Sequence, residues 1–196
     1  NIAETARIDL GNASQFVDAA RSIGTWASQA GASAARCEDF GTPACIDTFL
    51  AWFPEQAYRR PLSDSELTEL RAVYDDLLPT YGEEWAFAAL IRTVLLSQHF
   101  LNRTAIGALD PPATGVVELT DHEIASLMAF SLTDEGPDDE LLAAAAAGTL
   151  RDPATREQHA RRLMADSAGI WQRFFWEWLQ MGTLESQGDE PERDPA

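Results

Sequence analysis

An all-helical fold is what this chain predicts: an irregular bundle of seven to eight helices in two consecutive modules. Three observations lead there. Apolar residues recur at helical spacing through most of the chain, and no alternating strand pattern of useful length appears. Helices open on Ser, Thr or Asp caps, twice as full capping boxes with a hydrophobic staple. Proline and glycine fall where those helices should start or stop.

Taken in order, residues 1–11 show little periodicity. From Asn12 or Ala13, the residues Phe16, Ala20, Ile23, Ala27 and Ala30 fall on one helix that Gly31 ends. Gly24 within it costs about 1 kcal/mol relative to alanine, unless another helix packs closely there. A small-residue loop over 32–41 holds Cys37. Thr42-Pro43 reads as cap plus first helical residue of a helix carrying Ile46, Phe49, Leu50 and Phe53, which Pro54 should kink or end. Pro61 sets a boundary after Arg60. Ser63 with Glu66 forms a capping box, Leu62 with Leu67 its staple, and the helix runs to Pro79. Another helix spans about 83–101, and the glycine- and proline-rich stretch 107–116 is the clearest linker.

The second module concentrates its signals in LTDHEIASLMAFSLTDEGPDDELLAAAAAGTL, residues 119–150. Thr120 and Glu123 form a second capping box, with Leu119 and Ile124 as staple. Pro137 is expected to open the next helix, and Gly148 to close it. Asp152-Pro153 starts a further helix, and a last one runs from Ser167 to about Leu184. The expected organisation is an N-terminal module over 1–110, a C-terminal module over 116–184 and a solvated acidic tail over 185–196.

Composition excludes several functions. The 196 residues carry 32 acidic and 14 basic side chains, a net charge of −18. Every basic residue is arginine, so lysine Schiff-base or general-base chemistry is absent. So negative a chain repels phosphate backbones and anionic lipid, which argues against nucleic-acid and peripheral membrane binding. No apolar run approaches the roughly 18 residues of a membrane span. The start, Asn1-Ile2-Ala3-Glu4, lacks signal-peptide features, so the chain is cytosolic, processed, or cut from something longer. Cys37 and Cys45 fit no common zinc or haem-attachment spacing. A local disulfide is the favoured reading, with two thiols packed near the core as the alternative.

Three stretches together resemble a known family. AYRRPLSDSELTEL (57–70) is similar to the Tyr-Arg-Arg-Pro-Leu helix start of a domain of unknown function in secreted planctomycete and myxobacterial proteins. LLSQHFLNR (95–103) resembles that domain's ending, with Gln98 where proline is usual and Asn102 in place of tyrosine. The stretch 119–150 is similar to the start of the domain that follows, with Thr133 where tryptophan is common. The resemblance covers roughly 37–184. It implies an all-helical, exported protein, extracytoplasmic in location, whose relatives continue into modules with a Cys-x-x-Cys-His haem motif. This chain has no such motif, so no covalent haem belongs to it, and the family supplies no catalytic residue to carry over.

Candidate sites follow, each beside its ordinary reading. His99, His122 and His159 lie on three predicted helices and make no i, i+4 metal pair. His122 reads as a surface residue, and His99 as semi-buried and hydrogen-bonded. The acidic turn over 134–140 lacks EF-hand spacing, and acids are favoured at a helix start anyway. Arg59 and Arg60 read as structural arginines pairing with a carboxylate or with helix-end carbonyls, the alternative being an anion site. Trp171, Phe174, Phe175, Trp178 and Leu179 share one helix face, ordinary core by default, while Trp176 falls off it. A docking face comprising Trp171, Phe175, Trp176 and Trp178 is the other reading.

Neither catalytic constellation, cofactor nor metal site is expected. Two functions remain. One is a non-enzymatic helical module that docks on a protein partner or on the rest of its own longer chain, within an extracytoplasmic assembly that includes cytochromes. The other is the helical portion of a larger exported haem-linked enzyme whose catalytic groups lie outside this chain.

Overall fold

The computed structural model describes residues 10–107, 117–165 and 167–179. Among them are ten helices, two of only four residues, and no strand. The expectation of an all-helical chain holds. By its internal contacts the chain divides into two compact units, residues 1–104 and 105–196.

The first unit contains α1 (Leu10–Ala30), α2 (Ala32–Ala35), α3 (Pro43–Tyr58), α4 (Asp64–Tyr81), α5 (Glu83–Leu95) and α6 (Gln98–Leu101). Helix α5 is its centre, with α1 and α4 packed against it. Ala86, Phe87, Leu90, Ile91 and Val94 of α5 are almost fully buried, together with Ile46 and Phe49 of α3 and Tyr74 of α4. Gly24 lets α1 approach: a β-carbon there would come within 2.8 Å of the Ala88 carbonyl oxygen. Its helix-propensity cost therefore permits a close helix contact.

Several local expectations are corrected. The small-residue loop contains the short α2, which ends on Arg36 in the left-handed conformation. Helix α3 opens on Thr42, whose hydroxyl accepts from the Cys45 N–H at 3.3 Å. Pro54 does not end it; the helix runs on to Tyr58 with Pro54 buried. Likewise α4 continues past Pro79 to Tyr81. The helix expected over 83–101 is two, because Ser97 is extended and its hydroxyl accepts from the His99 N–H, capping a new turn. Cys37 and Cys45 form a disulfide, their Cα atoms 5.3 Å apart.

The second unit contains α7 (Asp121–Thr133), α8 (Asp139–Ala146), α9 (Pro153–Ala165) and α10 (Ala168–Trp178). Helix α7 packs on α8 and α9. The core is small and alanine-rich: Ala125, Ala129, Leu141, Ala145, Leu150 and Leu163. Pro137 does not open α8. Asp138 is the cap, its carboxylate accepting from the Leu141 N–H at 2.9 Å, and Pro137 is buried just before it. Asp121 reaches across its own unit to accept from the Leu150 N–H at 2.9 Å, tying the α8–α9 turn to the start of α7. The last helix, expected to run to about Leu184, ends at Trp178 with Leu179 as its C-cap. Most of the linker over 107–116 and the acidic tail over 185–196 lie outside the described residues.

Candidate functional site

The two arginines after Tyr58 build a clasp inside the first unit. Helix α3 ends on Arg59, whose φ of 60° turns the chain sharply, and the Arg59 and Arg60 side chains both reach α6. Arg59 is buried. Its guanidinium donates to the carbonyls of His99 at 2.7 Å and Asn102 at 3.0 Å, to Phe100 at 3.4 Å, and to Ala57 at 3.1 Å. These carbonyls at the end of α6 are groups that a short helix leaves without intrahelical partners. Burial, and then the nearby Arg103 charge, push the Arg59 guanidinium pKa down from its usual value.

Arg60 takes the other partner. It holds Glu66 in a two-pronged pair, Nη2 to Oε1 at 2.7 Å and Nη1 to Oε2 at 3.0 Å. Glu66 also completes the capping box of α4, accepting from the Ser63 N–H at 2.8 Å and from its hydroxyl at 3.0 Å. The Arg60 hydrogen bonds, helped by those from Ser63 and opposed by partial burial, hold the Glu66 carboxyl down at about 2. Arg60 Nη2 further lies 3.3 Å from His99 Nδ1. A guanidinium only donates, so Nδ1 accepts and the ring proton belongs on Nε2, which faces Glu66 Oε1 at 3.5 Å. The His99 ring packs on that of Tyr58, 5.2 Å between centroids.

A groove of about 370 Å³ opens beside this clasp, lined by Tyr58, Glu69, Leu70, Thr93, Ser97 and His99 among others. Burial raises the Tyr58 phenol pKa, against a hydrogen bond with Ser97. Two polar groups beside the groove are engaged, Arg60 by Glu66 and the Ser97 hydroxyl by the cap of α6. Among the described residues no cluster of three or more His, Cys, Asp or Glu side chains is placed to hold a metal ion.

In the second unit the acidic turn is taken up by arginines. Asp134 ends α7 with φ 57° and pairs with Arg173 at 2.5 Å. Asp138 pairs with Arg162 at 2.5 Å, and Glu140 with the same guanidinium at 3.1 Å. The Arg162 hydrogen bond leads in holding the Asp138 carboxyl below its usual value, against partial burial. His159, which the spacing did not single out, is buried with Nδ1 3.6 Å from Glu140. No sequence signal marks it, since its burial depends on how the helices of the unit pack together. His122 is half-buried rather than fully on the surface.

Helix α10 is turned against expectation. Ile170 and Arg173 line a cleft of about 400 Å³ with Thr133, Gly136 and Asp138, while every residue from Gln172 to Leu179 is exposed. The aromatic side faces solvent: Phe174 is 50% exposed, Phe175 48% and Trp178 68%, with Trp176 at 42% and Trp171 half-buried. The rings pack on one another, Phe174 stacked on Trp178 at 6.1 Å and edge-on to Phe175 at 5.4 Å. The reading of this face as ordinary core fails among the described residues.

No helix among the described residues is long and apolar enough to cross a membrane. No curated protein and no solved structure matches the chain. Residues 45–104 match the family model described as PSD5, protein of unknown function (DUF1595), which takes in both halves of the arginine clasp. Residues 119–195 match that described as PSD4, protein of unknown function (DUF1592), which takes in α7 to α10, so the chain is similar to two successive domains of unknown function.

Proposed function

We propose that this chain is a non-enzymatic helical interaction module that docks on a protein partner through the aromatic side of α10. The observation that carries this reading is the exposure of the α10 rings. A helix presenting stacked rings to water exposes apolar surface that folding ordinarily buries. Aromatic residues are also the side chains that dominate protein interfaces. The clasp in the first unit supports the same reading from the other side, because its arginines are engaged in holding α6 and α4. We place the module outside the cytoplasm, since the Cys37–Cys45 bond persists in oxidising compartments. The resemblance to proteins linked with c-type cytochromes makes an electron-transfer assembly the setting we favour.

Oxidative footprinting of the isolated chain and of its native assembly tests the proposal. Trp178 and Phe175 should be labelled readily in isolation and protected in the assembly. Equal labelling in both states would reject the docking role.

A further inference from the structure

We infer that the partner of the α10 face is a helix with an apolar stripe rimmed by lysine or arginine; this rests on the docking reading above and adds its chemistry. The charge around the face points there. Residues 105–196 carry 18 acidic side chains and six arginines, leaving −12 of the chain's −18 on this unit. One acidic turn of the unit lies next to α10. The ion pair between Arg173 and Asp134 brings the turn containing Glu135, Asp138, Asp139 and Glu140 to the flank of the helix, where Arg162 offsets one of the charges of Asp138 and Glu140, and Glu135 stays exposed. Arg173, the arginine of α10 itself, is neutralised by that pair, whereas Glu177 is exposed on the same helix. Beyond α10 the chain continues with Glu185, Asp189, Glu190, Glu192 and Asp194 against a single arginine, Arg193.

An apolar strip set in so acidic a border selects its occupant in two ways. The rings supply the desolvated centre of an interface, and the border supplies attraction to a cationic rim and repulsion of an anionic one. A second copy of this chain brings −18 and the same acidic border, so self-pairing is opposed by like charge. The segment that follows α10 in the sequence is itself acidic, so an acidic border opposes it as it opposes a second copy. A helix suits the shape. Trp171, Phe174, Phe175 and Trp178 run along two turns of α10, a ridge that packs into the side-chain grooves of another helix.

The experiment uses the full chain and two synthetic 14-residue amphipathic helices with the same leucine stripe, one with lysine and one with glutamine on its polar face. Binding is read from tryptophan emission and by calorimetry, in the wild type and in the Phe175→Ser/Trp178→Ser double variant. Both substituted positions are exposed, and circular dichroism checks that the helices are kept. We expect the leucine–lysine helix to bind about tenfold more tightly than the leucine–glutamine helix, with both lost in the double variant. The Glu135→Gln/Glu177→Gln variant should weaken the lysine peptide about threefold and leave the glutamine peptide unchanged. Equal binding of the two peptides, both abolished in the double variant, would reject the basic rim and leave the docking face standing. Lysine-peptide binding that survives the double variant, or no binding of either peptide, would reject the face itself. Concentration-dependent dimers in the wild type that vanish in the double variant would overturn the inference in favour of a second copy.

Discussion

The two capping boxes of this chain are nearly the same in local design and are used differently. Ser63 with Glu66 and Thr120 with Glu123 both close the start of a helix reciprocally, side chain to backbone in each direction. In the first unit the spare capacity of Glu66 goes to a guanidinium, that of Arg60, which also reaches His99. In the second unit Glu123 accepts instead from the backbone N–H groups of Ile106 at 2.8 Å and Gly107 at 3.0 Å. One box is anchored by charge and the other by amides. Burial opposes ionisation of Glu123, and the hydrogen bonds from Thr120, Gly107 and Ile106 outweigh it, so that carboxyl too titrates below its usual value. A capping box thus fixes where a helix starts, while its glutamate is free to choose the segment that is fastened to that start.

The largest effect on this comparison should come from the side chain that organises the charged side of it. Arg59→Ala strands the carbonyls of His99, Phe100 and Asn102, and at 1–3 kcal/mol for a group left unsatisfied the loss should be about 3 kcal/mol in urea denaturation. Arg59→Gly should lose about 1 kcal/mol less, because glycine accepts the positive φ at no steric cost. Equal losses would mean that the left-handed turn is not strained.

Next is the disulfide, which braces only the first unit. Cys37→Ser/Cys45→Ser should cost about 2–3 kcal/mol by loop closure, read in the same denaturation assay. A negligible change would mean that α2 and α3 hold that loop without the bond.

The two glutamates separate next. The Glu66 carboxyl is held at about 2 in the folded chain against about 4.5 unfolded. A depressed carboxyl stabilises fully above its unfolded value, and that contribution is lost as pH falls from about 4.5 toward 2. With its partner Arg60 partly open to solvent, Glu66→Gln should cost on the order of 2 kcal/mol at pH 7 and little at pH 2. Glu123→Gln should cost about 1 kcal/mol, with the same sense of pH dependence. Added salt should reduce the Glu66 effect and leave the Glu123 effect nearly unchanged, since backbone amides carry no net charge to screen. If salt moved both equally, the contrast between the boxes would collapse.

The smallest effect is expected at α10. Trp178→Ser, at an exposed position, should change stability by no more than about 0.5 kcal/mol. A larger loss would show that the ring is part of a core.

Much of the fold was legible because helix signals are local. Thr42, Ser63 and Thr120 cap as read, and Ser97 shows how the same rule was missed: a serine with extended backbone inside an apolar run split one expected helix into two. The prolines misled for the opposite reason. Pro54 stays inside its helix where it is buried among packed neighbours, and packing is not a local property, while the exposed Pro79 is carried in the last turn of α4. At the clasp, the sequence marked Arg59 and Arg60 as unusual by their neighbours. It did not identify the carbonyls that Arg59 holds or the His99 ring beside Arg60, about forty residues away at α6.

By itself, then, the sequence determined what nearest neighbours along the chain decide: helical class, most helix starts, the acidic character, and the absence of lysine chemistry. Tertiary structure alone decided which way each amphipathic helix turns. On a helical wheel the aromatic face of α10 looks like core. Whether it is core depends on whether something lies against it, and among the described residues Phe174, Phe175 and Trp178 stay exposed. Periodicity specifies a face. Only contacts across long separations specify what that face meets, because burial belongs to a pair of surfaces and the chain spells out one at a time.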